Sequence, residues 1–134
     1  MQLNGKVVLI AGGSGALGQT VVPAFARAGA QVMTADRHVP SAPIAGGSAM
    51  KADVADEADA QRLVNDVVRK AGRIDALINL VGGFAMGRLE ETDAALWQRM
   101  LTMNVTSAFL LSKAVTPHMV ARGTGRIQIG RAHV

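Results

Sequence analysis

The strongest constraint in this sequence is a change of pattern within its first thirty residues. KVVLIA (6–11) is a short, β-branched apolar run, the signature of a strand buried on both faces. A glycine cluster follows at once, giving AGGSGALG over 11–18. Beyond it Leu17, Val21, Ala24, Phe25 and Ala28 fall on one helical face, which Gly29 closes. A strand, a tight turn and a helix in so few residues make the first half of a βαβ unit, and the second half must be a parallel strand.

The pattern repeats along the chain. AQVMTAD (30–36) reads as a second strand, RHVPSAPIAGG (37–47) as a surface loop and AMKAD (49–53) as a third strand. Ala60, Leu63, Val64, Val67, Val68 and Ala71 form a helical stripe, with Asp56 as N-cap and Gly72 as terminator. DALINLV (75–81) is a fourth strand, ended by Gly82 and Gly83. Thr92 is placed to cap a helix carrying Leu96, Trp97 and Met100; a further helix runs from about Val105 to Ala121, and GRIQI (125–129) starts a fifth strand. Pro23 is predicted to kink the first helix near Gln19, and Pro117 to bend or shorten the last. Strand and helix taking turns imply an α/β, doubly wound parallel sheet with right-handed crossovers.

Composition removes several functional classes. A chain of 134 residues, 49% apolar and 18% charged, fits one domain with a real core. No run of eighteen apolar residues exists, so the expectation is a soluble, cytoplasmic protein without a membrane partner. The absence of cysteine excludes disulfides and thiolate chemistry. The net charge of +4 comes from scattered residues such as Lys6, Arg27, Arg62, Arg73 and Arg99, with 3% aromatics, so no nucleic-acid partner is expected. His38 and His118 read as surface histidines with no metal cluster around them, and Trp97 and the seven methionines as core filling.

The glycine loop sits where a helix's first amides lack partners and its dipole favours negative charge. Gly13, Gly15 and Gly18 satisfy G-x-G-x-x-G: the first for the tight turn, the second for close approach of a pyrophosphate, the third for packing helix on strand. The whole segment Gly12, Gly13, Ser14, Gly15, Ala16, Leu17 and Gly18 is the expected phosphate cradle. Asp36 lies eighteen residues after Gly18, at the end of the second strand, where its carboxylate can accept both hydroxyls of an adenosine ribose. A carboxylate there repels the 2'-phosphate of NADP, whereas Arg37 can pair with it. NAD or NADP is therefore the expected cofactor, with NAD preferred.

On AGGSGALG, ADV (52–54), NLVGG (79–83), MNV (103–105) and GRI (125–127), in that order, the chain resembles the short-chain dehydrogenase/reductase family over nearly its full length. The resemblance implies a Rossmann fold, truncated after about five strands, and hydride transfer between nicotinamide and a small carbonyl or alcohol substrate. It implies that Asp53 and Val54 border the adenine and that Asn79, Val81 and Gly82 line the path towards the nicotinamide. It also implies that Asn104 is the helix asparagine that helps hold a water in the proton relay. A homo-oligomer is implied when the protein is full length, with the helix from Val105 to Ala121 similar to one used for dimer contacts. Ala16 departs from the commonest loop, and the Gly12, Gly15, Gly18 spacing is similar to that of nucleotide-sugar epimerases or dehydratases. An epimerase of that kind and a non-catalytic dinucleotide-binding regulator are the alternatives.

The family's serine and Tyr-x-x-x-Lys are expected beyond the fifth strand, and this sequence has no tyrosine. Residues 1–128 therefore read as the cofactor-binding part of one domain, itself inactive. IGRAHV (129–134), written back as ATC GGA AGA GCA CAC GTC, resembles a sequencing adapter and reads as a non-native tail. A fifth strand left at the sheet edge is expected to make the chain poorly soluble or only partly folded.

Overall fold

A computed structural model describes residues 2–42 and 44–130. Five strands, β1 (Val7–Ala11), β2 (Gln31–Asp36), β3 (Gly47–Lys51), β4 (Ala76–Asn79) and β5 (Arg126–Ile129), form one sheet in the order β3-β2-β1-β4-β5. Every neighbouring pair is parallel. Four helices connect them: α1 (Gly18–Arg27), α2 (Glu57–Ala71), α3 (Ala94–Leu101) and α4 (Ser107–Arg122). A 3-10 turn at Leu89–Glu91 precedes α3, and a π-helical turn at Thr102–Thr106 joins α3 to α4.

All five β1 residues are buried, as its unbroken apolar run requires. Val7, Leu9 and Ala11 pack into one core with Leu63, Val64 and Val67 of α2 and Leu111 and Val115 of α4. Val8 and Ile10 face the opposite way, into a second core with Val22 of α1, Val32 and Ile78. The sheet is thus doubly wound, and the chain leaves β1 in one direction and returns to β4 on its other side. That reversal opens a crevice at the carboxyl ends of β1 and β4.

At the opposite edge, Asp75 fixes the starts of the central strands. Its carboxylate accepts the Val7 N–H at 2.8 Å and pairs with Arg73 at 2.5 Å and Lys6 at 3.8 Å. Burial alone would raise its pKa. The hydrogen bonds from Arg73 and Val7 and the charges of Arg73 and Lys6 outweigh burial, holding the carboxyl below its usual range.

Several expectations are corrected. The third strand begins at Gly47, not Ala49, because Gly47 already pairs with Val32; the fourth is confined to Ala76–Asn79. In α1 it is Val22 that is fully buried, while Ala24 is exposed. Asp93, not Thr92, caps α3, accepting the Leu96 N–H at 2.7 Å; the Thr92 hydroxyl instead donates to the Arg88 carbonyl. Pro117 does not shorten α4, which continues to Arg122 with Ala114, Val115 and Met119 packed around that turn. Trp97 is 63% exposed and Met86 86% exposed, so neither fills a core, although Met33, Met50 and Met119 do. An apolar helical face reveals a preference for burial, not the presence of a covering element. Asp56 and Gly72 bound α2 as expected, the latter in the left-handed conformation at φ 80°. Ile129 closes β5 and the Gly130 N–H donates to the Asn79 carbonyl; the rest of the expected tail, 131–134, lies outside the described residues.

Candidate functional site

The glycine loop fills the turn from β1 to α1, and its glycines divide the work differently from the simple motif. Gly12 makes the tight turn, at φ 80°, and a Cβ there would lie 3.0 Å from the Leu80 and Val81 backbone. Gly13, expected to make that turn, is instead a packing glycine: a Cβ on it would come within 2.8 Å of the Thr34 side chain in β2. A Cβ on Gly18 would overlap the backbone of Gly13, so this glycine seats the helix against the loop. Gly15 is the most open of the set, its nearest neighbour being the Gly12 carbonyl at 3.3 Å.

Gly12 donates to the Ala35 carbonyl and Gly15 to the Gly12 carbonyl. Among the described residues, the amides of Ala16 and Leu17 donate to no other group, and Leu17 is followed directly by the first turn of α1. These are unpaired donors at a positive helix end, the donor set an anionic diphosphate needs.

Asp36 stands at the end of β2, half-buried, facing this loop. Ser14 donates to its carboxylate through both its hydroxyl, at 2.6 Å, and its amide, at 3.1 and 3.2 Å. The carboxylate therefore has fewer free lone pairs than the sequence reading assumed, and Ser14 shares its site. Arg37 is exposed and makes no ion pair among the described residues.

The neighbouring turn carries Asp53 and Val54. The Ala52 N–H donates to the Asp36 carbonyl, so this turn starts beside Asp36. Asp53 is exposed, whereas Val54 is 4% exposed and sunk in the α2 core.

Across the crevice, Asn79 ends β4. Its Oδ1 accepts the Val81 N–H at 3.0 Å, while its Nδ2 is buried with no hydrogen-bond partner among the described residues. A buried amide without an acceptor is costly. Gly82 is exposed beside it. Asn104 lies in the π-helical turn: its Oδ1 accepts the Gly83 N–H at 3.2 Å, and its Nδ2 donates to the carbonyls of Gly83 at 3.0 Å and Met100 at 2.9 Å. Its carboxamide is thus committed to pinning the strand-exit loop. No residue pattern distinguishes the π-helical turn from an ordinary helical one.

Glycine cradle, strand-end acid and orphaned asparagine all meet the same edge of the sheet, as a Rossmann-type nucleotide-binding half requires. Residues 6–129 match the family model described as short chain dehydrogenase, and the chain belongs to that family. It is 34% identical over 127 residues to L-fucose dehydrogenase from Rattus norvegicus, covering 87% of this chain and 45% of that protein. It is 30% identical to meso-2,3-butanediol dehydrogenase from Serratia marcescens, covering 90% and 51%. The structure of NADH-dependent reductase A1-R' complexed with NAD superposes with a TM-score of 0.86 at 31% identity, covering 95% of this chain and 59% of that one. The chain thus spans about half the length of these relatives. None of the three carries a name that favours the epimerase or regulator alternative.

Proposed function

We propose that the full-length protein is an NAD-dependent oxidoreductase that moves hydride between nicotinamide C4 and the carbon of a small carbonyl or alcohol substrate. The observation that carries this reading is Asp36, set by Ser14 at the mouth of the glycine loop. The residues present fit a dinucleotide: Gly12, Gly13 and Gly18 leave no room for side chains, and among the described residues the Ala16 and Leu17 amides and the Asn79 Nδ2 have no partner. When bound, the dinucleotide supplies the hydride acceptor or donor. The chain's own residues grip it: loop amides at the diphosphate, Asp36 with Ser14 at the ribose, and the turn at Asp53 and Val54 near the adenine. Asn104 fixes Gly83 and thereby the floor beyond β4. The family resemblance assigns the substrate's proton transfer to a tyrosine, and this sequence has none.

Asp36 favours NAD over NADP because a fixed carboxylate repels a 2'-phosphate. In the same reading, residues 1–128 are the cofactor-binding part of one domain. Homo-oligomer contacts fall on α4, supported by its exposed Phe109 and Val120 and the preceding Val105. No described helix is long and apolar enough to cross a membrane. Placement in the cytoplasm accords with the cysteine-free sequence.

Titrating the full-length protein with NADH and NADPH, followed by nicotinamide fluorescence, tests the assignment. NADH is expected to bind more tightly, and Asp36→Ala to weaken it by about tenfold or more, the value of hydrogen bonds to a charged group, while narrowing the gap to NADPH. A folded protein with no affinity for either coenzyme overturns the reading.

A further inference from the structure

The turn that joins α3 to α4 is wider than an α-helix makes it. In an α-helix the Ser107 N–H would donate to the Met103 carbonyl, four residues back. Here it donates to the Thr102 carbonyl, five residues back. Side chains serve the carbonyls around this wide turn. The hydroxyl of Ser107, a fully buried residue, donates to the Met103 carbonyl at 2.7 Å. Asn104 Nδ2 donates to the Met100 carbonyl at 2.9 Å, the group an α-helical Asn104 N–H would use.

The same carboxamide reaches outside the helix and holds both polar groups of Gly83, accepting its N–H and donating to its carbonyl. Met103 lies against that glycine too, since a Cβ there would come within 2.5 Å of the Met103 methyl group. On one side of the turn, α4 is locked into the core by Leu110, Leu111, Ala114 and Val115; on the other, α3 has no buried residue. Closing the turn to α geometry rotates what precedes it by about 100°, one residue's share of a helical turn. That rotation falls on the unburied side and carries Asn104 off Gly83. Without the hydroxyl of Ser107, the Met103 carbonyl loses its donor, and the Ser107 amide restores that bond only by closing the turn.

We propose that Ser107 is a positioning residue for the nicotinamide half of the dinucleotide: its hydroxyl keeps the turn wide and thereby keeps Asn104 on Gly83. This rests on the dinucleotide reading above. With the diphosphate at the glycine loop and the adenosine ribose at Asp36 on β2, the other nucleotide extends towards β4, on the far side of β1, where Gly82 and Gly83 follow the strand. Ser107 is itself buried and acts only through Asn104.

The test compares NADH with ADP-ribose, which keeps the adenosine and diphosphate but lacks the nicotinamide. Both are titrated calorimetrically into the full-length protein, and the melting temperature of each variant is recorded. The unmodified protein is expected to prefer NADH. Ser107→Ala is expected to weaken NADH by about threefold to tenfold, the worth of one neutral hydrogen bond, and to leave ADP-ribose unchanged. Ser107→Cys, which keeps the side chain's shape with a weaker donor, is expected to move the ratio in the same direction. Asn104→Ala is expected to reproduce the loss, and the double variant Ser107→Ala with Asn104→Ala to lose no more than Asn104→Ala alone, as two residues acting through one contact require. A purely structural role lowers the melting temperature and weakens both ligands equally. An unchanged ratio in the Ser107 variants, or additive losses in the double variant, overturns this proposal alone. No binding of either ligand by the folded, unmodified protein overturns the dinucleotide reading with it.

Discussion

Asp75 shows how one side chain can fix the register of two strands. It takes the first amide of β1 while sitting just before β4, and its side chain is only 9% accessible. Because its folded pKa is depressed, its contribution is present above the ordinary carboxylate value of 3.8 and is lost as pH falls through the lower folded value. Asp75→Asn is therefore expected to destabilise the full-length protein at neutral pH by about 1–3 kcal/mol, the cost of disrupting a charged, partly buried hydrogen-bond site. It should also remove part of the stability lost on acidification. Urea denaturation at pH 7 and pH 3 checks both; a variant with the same acid dependence as the parent would show that Asp75 is not the titrating anchor.

At the scale of elements, the junction of β1, loop and α1 behaves as one packed unit. Gly18 meets Gly13, Gly13 meets Thr34 of β2, and Gly12 meets the chain leaving β4. A methyl group at Gly18 has nowhere to go but into backbone, which cannot rotate aside as a side chain can. Gly18→Ala is expected to cost about 2 kcal/mol or more, in the range of overpacked sites, and to weaken NADH binding through displacement of the loop. Gly15→Ala meets only the Gly12 carbonyl, at 3.3 Å, and is expected to cost less. Denaturation midpoints of the two variants decide the matter, and equal losses would contradict this division of roles. The cap of α3 teaches a related lesson: Thr92 and Asp93 are both competent caps by residue type, and the preceding 3-10 turn decides between them by using Thr92 at its own end.

For the molecule as a whole, the decisive feature is an exposed sheet edge. Parallel sheets are ordinarily covered on both faces, yet every residue of β5 is exposed, including Ile127 at 40% and Ile129 at 52%. A groove of about 630 Å³ runs beside α1, floored by Val8, Ala76 and Ile78 and walled by Phe25. Phe84, Met86 and Leu89 add exposed apolar area in the loop after β4. The 134-residue chain by itself is expected to self-associate through this edge. Sedimentation over a concentration series is expected to show growing assemblies, and a monodisperse monomer with a cooperative melt would refute the expectation.

The sequence alone determined the alternation of strands and helices, the glycine turn between β1 and α1 and the acid at the end of β2, because period, glycine and charge are local signals. Tertiary structure decided what no local pattern encodes: that Gly12 rather than Gly13 turns the chain, that Ser14 already holds Asp36, and that Val54 is buried. It likewise left Trp97 in solvent. Each of these depends on which atoms lie across a gap between segments distant in the chain, and such contacts are set by packing in three dimensions, not by neighbours in sequence.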